Sequence, residues 1–275
     1  MPEMPEVEII VRSLRQQIVG RTIDEVRVRW RRSIDRPTVE EFVEQLCGQT
    51  IHGLRRRGKF VIMELRQKSL LVHLRMTGQL LVCDIPDEAL EEDKHIHVIL
   101  SFTSGQVLYF RDIRKFGRFY LVDTAEEIVG DLGPEPLADE FTPTSLATLF
   151  EGRRARIKSL LLDQHVLAGL GNIYTDESLW RARIHPCYSV DDLDFRDIER
   201  LHGSIRRVLR SAVKHRGTTL RNYRDPSDRR GRNQERLAVY GREGEACPRC
   251  GRTIERDVVA GRGTYYCPAC QRQDG

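Results

Sequence analysis

The amino-terminal segment has the apolar spacing of a helix. Apolar side chains recur every three or four positions, at Val7, Ile10, Val11, Leu14 and Ile18. Residues with this spacing share one face of a helix of 3.6 residues per turn. Pro5 precedes most of them, and proline suits a first helical turn because the N–H that it lacks would have no partner there. The pattern predicts an amphipathic helix.

After Gly20 the apolar residues alternate with polar ones, which is the pattern of a half-buried strand. The alternation starts at Ile23, Val26, Val28 and Trp30, and short apolar runs follow at 60–65, 70–74, 96–102, 107–110 and 116–122. Glycines and polar residues separate these runs. Short strands joined by such turns are typical of an antiparallel β-sandwich or barrel.

The pattern changes at residues 131–136, where a glycine and two prolines end the β region. Beyond this point, helical spacing predicts helices at 142–150, 155–163, 175–183 and 198–213. Residues 221–236 have almost no apolar content and are predicted to form a mobile basic loop. The sequence thus predicts an α+β chain with a β-domain at 1–133, a helical domain at 134–236 and a C-terminal segment at 237–275.

The charge of the chain is modest in total and uneven along its length. The 275 residues carry a formal net charge of +4. Residues 84–140 contain 14 acidic and 5 basic side chains, whereas residues 196–275 contain 19 basic and 10 acidic ones. A basic C-terminal third fits a polyanionic partner, and it equally fits a solvated face that binds nothing.

Apolar runs long enough to span a bilayer are not found in the sequence. The first residues also lack the basic segment and apolar core of a secretory signal. We therefore expect a protein of the cytoplasm, with no membrane partner.

Seven cysteines, an odd number, argue against a fully paired disulfide framework. Two CxxC pairs, Cys247 with Cys250 and Cys267 with Cys270, are separated by sixteen residues. Four thiolates at this spacing are typical of a closed tetrahedral structural zinc site, and a redox pair is the alternative. The remaining cysteines stand singly and are interpreted as free thiols: Cys47, Cys83 and Cys187.

Three weaker motifs are each ambiguous alone. The turn from Gly169 to Asn172 precedes a predicted helix, where exposed N–H groups suit a phosphate, although such turns are more often only tight turns. A basic cluster stands beside a predicted strand and consists of Arg55, Arg56, Arg57 and Lys59. Lys158 lies among apolar residues of a predicted helix. Met76, Arg114 and Phe116 fit either core or surface.

The amino terminus offers a reactive group. Removal of Met1 would leave Pro2 with a secondary amine, followed by the carboxylate of Glu3. An α-amino group titrates near pH 8, so a useful fraction is unprotonated at neutral pH and can attack an electrophilic carbon. The alternative is a frayed terminus without function.

These motifs occur together in one family. The chain resembles the bacterial formamidopyrimidine-DNA glycosylases, which are related to endonuclease VIII. The matching segments run from near the first residue almost to the last: MPEMPEVE, RRRGKF, HLRMTGQL, FRDIRKFGRF, KSLLLDQ, AGLGNIYTDESLW, VYGREGEACPRCG and GRGTYYCPACQ. The resemblance implies an N-terminal β-sandwich that carries a catalytic helix, a helix-two-turn-helix domain and a zinc ribbon, with damaged double-stranded DNA bound between the domains.

The resemblance also implies the roles of individual residues. Pro2 is the implied nucleophile, Glu3 the acid that assists opening of the sugar ring, and Glu6 a supporting carboxylate. Four residues are implied to hold phosphates around an extruded nucleotide: Lys59, Lys158, Asn172 and Arg262. His73 and Glu177 are implied to support the same site.

Removal of an oxidised base from the stack leaves a gap in the duplex. Met76, Arg114 and Phe116 match the residues that fill this gap, and we call them the wedge. An apolar side chain and a planar guanidinium can stack there while the arginine pairs with the orphaned base. The implied protein is a monomer with one structural zinc ion.

The sequence departs from the family pattern at several positions. Met4 replaces a leucine, Arg75 replaces a glycine and Lys115 replaces an arginine. The segment 221–236 lacks the usual aromatic residue beside its glycine. Lesion choice therefore stays open between oxidised purines and the oxidised pyrimidines of an endonuclease VIII-like enzyme, and a non-catalytic DNA-binding relative is the remaining alternative.

Overall fold

The computed structural model describes residues 1–220, 223–226 and 229–272. The helices are α1 (Met4–Ile18), α2 (Val39–Leu46), α3 (Glu88–Glu92), α4 (Glu126–Val129), α5 (Pro143–Phe150), α6 (Ile157–Leu162), α7 (Asn172–Ala182) and α8 (Phe195–Lys214). The strands are β1 (Ile23–Val28), β2 (Ile34–Arg36), β3 (Gly53–Arg57), β4 (Phe60–Glu64), β5 (Ser69–His73), β6 (Gly78–Cys83), β7 (Ile96–Phe102), β8 (Val107–Asp112), β9 (Arg118–Val122), β10 (Glu255–Val259) and β11 (Arg262–Tyr266).

The chain forms two compact units. The first contains residues 1–131 and 215–232, and the second contains residues 132–214 and 233–275. This division differs from the predicted one, because the described residues between 215 and 232 pack with the β-domain although they follow the helical domain in sequence. The C-terminal segment with the two CxxC pairs belongs to the same unit as helices α5 to α8. Among the described residues, no helix has the length and apolar character needed to cross a membrane.

Two β-sheets build the first unit. One has the order β1-β7-β8-β6 and the other the order β2-β9-β5-β4-β3. All pairs are antiparallel except that of the three-residue strand β2 with β9, which is parallel. The predicted antiparallel β-sandwich is therefore confirmed, and β2 adds one parallel pair at its edge, where a strand of three residues carried too little pattern to be found.

Helix α1 completes the core of this unit. Its apolar stripe is buried in one cluster with residues of both sheets, such as Leu70 and Leu100. Sequence analysis did not predict α2, in which the Thr38 side chain accepts a hydrogen bond from the Glu41 N–H and the Glu41 carboxylate accepts one from the Thr38 N–H. This reciprocal cap is a readable helix start.

Segment 215–232 is held by specific bonds where it is described. Asp225 is buried, and its carboxylate contacts the guanidinium groups of Arg216 and Arg229. The Val82 N–H donates to the Pro226 carbonyl at 3.3 Å. The predicted mobile loop therefore has fixed partners in its described part, whereas positions 221, 222, 227 and 228 lie outside the described residues.

The second unit places α7 against α6, α8 and strand β11. Helix α7 begins at Asn172, three residues before the predicted start, and α8 extends beyond the predicted 198–213 at both ends. Residues buried along α8 form one stripe that includes Leu201, Ile205 and Leu209. Strands β10 and β11 form an antiparallel hairpin, which we call the ribbon hairpin.

Candidate active site and nucleic-acid interface

The amino terminus is fixed in place. Pro2 and Glu3 are buried ahead of α1, whereas Met1 is half exposed. One Glu6 carboxylate oxygen accepts a hydrogen bond from the Glu3 N–H at 2.8 Å, and the other accepts one from the Thr218 N–H at 2.7 Å. Glu6 therefore joins the start of the chain to segment 215–232. This arrangement argues against a frayed terminus.

Gly217 is required beside Glu6. A Cβ atom at Gly217 would lie 2.7 Å from a Glu6 carboxylate oxygen, and the residue has a φ of +77°. Glycine adopts this left-handed conformation without the steric cost that other residues meet. The backbone can thus approach the carboxylate closely enough for the Thr218 hydrogen bond.

Lys59 and His73 are neighbours at one end of the five-stranded sheet. Both are largely buried, and Phe60, which follows Lys59, pairs with His73 across β4 and β5. Burial lowers the pKa of His73 to about 3, and the charges of Arg75 and Lys59 act in the same direction. The imidazole is therefore neutral at neutral pH.

The tautomer of His73 follows from its hydrogen bond. The Arg75 N–H donates to His73 Nδ1 at 3.0 Å. A neutral imidazole that accepts at Nδ1 carries its proton on Nε2. His73 can therefore act as a neutral hydrogen-bond donor to an anion such as a phosphate oxygen.

The three wedge residues contact one another on the surface of the first unit. Met76 and Phe116 are 41% and 45% exposed, so both apolar side chains are accessible to solvent. The Arg114 guanidinium carbon lies 4.7 Å from the centre of the Phe116 ring, and Arg114 Nη1 lies 2.8 Å from Met76 Sδ. Met76 and Arg114 are 38 positions apart in the sequence, and the structure brings the three residues into one cluster.

A buried carboxylate holds the two loops that carry the wedge. We call residues 74–77 and 113–117 the wedge loops. Asp112, fully buried, accepts hydrogen bonds from the Thr77 hydroxyl in one loop and from the Arg114 and Gly117 N–H groups in the other. Sequence analysis missed Asp112, although its place directly before a glycine-containing loop was a signal for a side chain that binds backbone N–H groups.

Lys158 is buried inside the second unit, whereas a side chain that contacts a DNA phosphate has to be accessible at the surface. Its side chain is 0% exposed, and its ammonium group lies 2.6 Å from the Asp176 carboxylate. It also donates to the Thr264 hydroxyl at 2.8 Å and the Gly263 carbonyl at 3.3 Å. Burial raises the pKa of Asp176, and the Lys158 charge opposes this rise. In this structure Lys158 supports the ribbon hairpin from inside the unit.

Asn172 and Arg262 lie at the same end of the second unit. The Asn172 side-chain amide donates to the carbonyl of Gly263, the residue after Arg262, at 2.8 Å. Asn172 stands at the first position of α7, where N–H groups point outward. Arg262, exposed at the start of β11, adds a cation. A helix start next to a guanidinium is suited to a phosphate.

Glu177 fastens the chain before the ribbon to α7. Its carboxylate accepts hydrogen bonds from the N–H groups of Ala238, Val239 and Tyr240 at 2.9–3.0 Å. Burial raises the pKa of Glu177, and these backbone donors oppose the rise. Among the described residues, the contacts of the Glu177 carboxylate hold the backbone of residues 238–240 in place.

The four C-terminal cysteines converge on one point. Their sulfur atoms all lie within 4.8 Å of one another, with 3.5 Å between Cys250 and Cys267 and 3.9 Å between Cys247 and Cys270. Tetrahedral zinc with bonds of about 2.3 Å to sulfur needs sulfur atoms about 3.8 Å apart. The cluster therefore fits one structural zinc ion, bound by four protein ligands that leave no position for a substrate.

The chain matches three family models in succession. Residues 1–119 match the formamidopyrimidine-DNA glycosylase N-terminal domain, residues 132–224 match the H2TH domain of the same proteins, and residues 244–273 match a zinc finger found in FPG and IleRS. These matches confirm the predicted classes of domain: a sheet-rich N-terminal part, a helical DNA-glycosylase part and a cysteine zinc finger.

Whole-chain relatives agree with these matches. The formamidopyrimidine-DNA glycosylase of Herpetosiphon aurantiacus is 47% identical over 91% of this chain and 92% of its own length. That of Chloroflexus aurantiacus is 48% identical over 91% of this chain and 90% of its own length. The chain therefore belongs to the formamidopyrimidine-DNA glycosylase family.

Solved structures show the same fold. A Lactococcus lactis FPG mutant in complex with DNA that contains Fapy-dG has a TM-score of 0.90 and 38% identity, and covers 98% of this chain and 100% of its own. The MutM (FPG) protein of Thermus thermophilus has a TM-score of 0.89 and 40% identity, and covers 100% of both chains.

Proposed function

We propose that this protein is a DNA glycosylase and AP lyase that removes oxidised purines, chiefly 8-oxoguanine and formamidopyrimidines, from double-stranded DNA. The observation that carries the proposal is the fixed amino terminus, in which Glu6 accepts hydrogen bonds from Glu3, the residue after Pro2, and from Thr218. A terminal amine in a defined position can serve as a nucleophile, whereas a frayed terminus cannot. Removal of Met1 is required, since with Met1 attached the Pro2 nitrogen is an amide.

The reaction joins base removal to strand cleavage. The lone pair of the Pro2 nitrogen attacks C1′ of the damaged nucleotide, the glycosidic bond breaks, and the proton that the attacking amine loses is transferred to the departing base. Glu3 assists by protonating the sugar ring oxygen as the ring opens. The resulting iminium acidifies the proton at C2′, whose loss expels the 3′ phosphate, and a second elimination expels the 5′ phosphate.

The remaining residues hold the nucleotide. Lys59 and the Nε2–H of His73 bind phosphate oxygens from the first unit, and Asn172 and Arg262 bind them from the second. Most hydrogen bonds between proteins and DNA go to the phosphate backbone and fix the register of the duplex. Lys158, being buried, acts by positioning the ribbon hairpin that carries Arg262. A repair enzyme of this kind works in the cytoplasm, on the DNA of the nucleoid.

The wedge fills the gap left by the extruded base. Arg114 donates to the edge of the orphaned base, and cytosine offers acceptors to such a donor. We therefore expect faster excision when cytosine stands opposite the lesion. A panel of duplexes that carry 8-oxoguanine, a formamidopyrimidine, thymine glycol or dihydrouracil tests the lesion class. Faster excision of both pyrimidine lesions than of both purine lesions would favour an endonuclease VIII-like enzyme.

Borohydride trapping on abasic DNA tests the nucleophile. Reduction of the iminium links protein to DNA permanently, and peptide mass spectrometry should locate the link at Pro2. Pro2→Gly should trap only weakly, and a protein that retains Met1 should not trap. Pro5→Ala, a change in the same turn that leaves the terminal amine intact, is the control. Equal trapping by the Met1-retaining protein would assign the reaction to a lysine and overturn the role of Pro2.

A further inference from the structure

A groove in the second unit is lined by arginines that the proposed reaction does not use. It consists of two adjoining cavities of about 600 and 630 Å³ between the end of α7, the first half of α8 and the two CxxC turns. We call it the arginine groove. Six arginines line it, against the two acids Asp197 and Glu199: Arg181, Arg183, Arg200, Arg207, Arg249 and Arg272.

Two of these arginines have a structural role. The Arg249 guanidinium donates to the Trp180 carbonyl at 3.0 Å and stacks on the Trp180 ring at 4.1 Å. Arg200 donates to the Ala182 carbonyl at 2.6 Å and contacts Asp197. Both cap the carbonyl end of α7, where cations are favourable.

The other four arginines are not neutralised by a partner in the described parts of the chain. None of Arg181, Arg183, Arg207 and Arg272 has a carboxylate within 4.0 Å among the described residues. Burial lowers the pKa of Arg181, and the like charges of Arg207 and Arg249 lower it further. Guanidinium groups collected in one concave site favour an anionic ligand.

The groove lies apart from the proposed phosphate contacts of this unit. Asn172 and Gly263 meet at one end of α7, and the Trp180 indole N–H meets the Cys247 sulfur at 3.4 Å near its other end. The eight residues from Asn172 to Trp180 span about 12 Å of helix. The four residues from Gly263 to Cys267 span about 13 Å of strand. Helix α7 and the segment from Gly263 to Cys267 both extend from the end with the proposed phosphate contacts toward the groove.

The shape and lining of the groove favour a peptide over a duplex. Cavities of this size hold small molecules and peptide side chains, and a rigid duplex is too broad to enter one. Part of the lining is apolar and includes Ile184, Leu193 and Ala269. Clustered arginines recognise acidic motifs through paired hydrogen bonds to carboxylates.

We propose that the arginine groove binds an acidic segment of a partner protein, one in which aspartate or glutamate residues alternate with apolar ones. The carboxylates pair with Arg181, Arg183, Arg207 and Arg272, and an apolar side chain rests on Leu193 and Ala269. Because the groove and the phosphate contacts lie at opposite ends of α7, the protein can hold the partner and DNA at the same time. Apart from this last statement, the proposal is independent of the proposed enzymatic function.

Fluorescence anisotropy with the zinc-loaded full chain tests this proposal. The probe is a labelled ten-residue peptide that alternates aspartate with leucine and phenylalanine, and its control replaces each aspartate by asparagine. The acidic peptide should bind, and the double variant Arg183→Ala, Arg207→Ala should bind it at least about tenfold more weakly, since each guanidinium donates charge-assisted hydrogen bonds. Arg210→Ala, an exposed arginine of α8 outside the groove, is the matched control.

Three results would overturn the proposal. They are equal binding of the acidic and asparagine peptides, unchanged binding by the double variant, and displacement of the peptide by an abasic duplex. The last result would assign the groove to DNA. The double variant should keep its zinc content, its trapping on abasic DNA and its duplex affinity. If the chain without substitutions does not trap on abasic DNA, that result contradicts the proposed enzymatic function and leaves the peptide-binding result unaffected.

Discussion

The wedge loops of the first unit and the ribbon hairpin of the second both place exposed side chains near a buried carboxylate. Under the wedge loops, Asp112 accepts hydrogen bonds from neutral donors of both loops. Beside the ribbon hairpin, Asp176 pairs with the Lys158 ammonium and accepts from the Tyr265 N–H at 3.0 Å. The ribbon hairpin also has the cysteine cluster as a second support.

The difference follows from the size of the two cores. The wedge loops leave strands of a sandwich whose core contains more than twenty buried residues, so that one carboxylate is enough to set their conformation. The core beneath the ribbon has four buried members: Val239, Cys247, Ile254 and Cys267. So small a core needs a metal or another cross-link for stability. The comparison predicts unequal responses when each support is removed.

Loss of zinc should have the largest effect. Binding of a structural zinc contributes about 10–16 kcal/mol of apparent free energy in small fingers, so Cys250→Ser should unfold the ribbon and weaken duplex binding. Metal analysis, thermal unfolding and binding to an abasic duplex measure the three effects. Cys83→Ser, in the first unit, is the control. A zinc-free protein with unchanged duplex affinity would contradict the role of the ribbon.

Lys158→Met should rank second. The change leaves Asp176 as a buried, unpaired carboxylate, which costs about 3–5 kcal/mol when one partner of a buried ion pair is removed. Urea unfolding measures the loss. Adding Asp176→Leu removes the unpaired charge and should restore part of the stability. If Lys158→Met leaves stability unchanged and only lowers the salt dependence of duplex binding, Lys158 is a direct phosphate contact after all.

Asp112→Asn should rank third. The amide nitrogen replaces one acceptor that faces N–H donors, at a cost of about 1–3 kcal/mol. The wedge loops should loosen, so the preference for cytosine opposite the lesion falls while cleavage of single-stranded abasic DNA is kept. Excision rates opposite the four bases measure this preference. Asp24→Asn, an exposed change, is the control, and an unchanged preference would show that the wedge does not depend on Asp112.

Arg75→Gly should have the smallest effects. It should raise the thermal stability of the protein and weaken its electrostatic contact with DNA. Arg75 has a φ of +52°, which costs a non-glycine residue about 1 kcal/mol or more, so glycine should raise the melting temperature by about 2–4 °C. Loss of a cation beside His73 should lower the salt slope of duplex binding by about one. Arg75→Asn, which tolerates this conformation, removes the charge alone. A salt slope that stays constant in both variants would exclude Arg75 from the DNA contact.

Local patterns predicted the features that depend on local chemistry. The spacing of the cysteines predicted the zinc site, and the helical stripe behind Pro5 predicted α1, because ligand spacing and helical period are written in neighbouring residues. The roles of Pro2, Glu3 and the phosphate contacts stay predictions. Tests of these roles need measurements of trapping and binding with damaged DNA.

Long-range bonds account for what the sequence did not predict. The attachment of residues 215–232 to the first unit depends on contacts such as that of Glu6 with Thr218, which are 212 positions apart. The burial of Lys158 depends on Asp176 and Thr264, from two other elements. No local pattern of charge or hydropathy indicates such pairings. Helix α2 is different, because Thr38 and Glu41 marked its start and were overlooked.

The hydrogen bond of Glu6 with Thr218 also sets an order of events during translation. The amino terminus emerges from the ribosome long before Thr218 is made, and synthesis of the intervening 212 positions takes about 10–40 s at 5–20 residues per second. During that interval the terminus lacks its last backbone partner and is open to the peptidase that trims methionine. Once the chain is complete, Pro2 is buried. The proposed nucleophile at Pro2 is therefore most accessible to trimming on the nascent chain, before Thr218 is made.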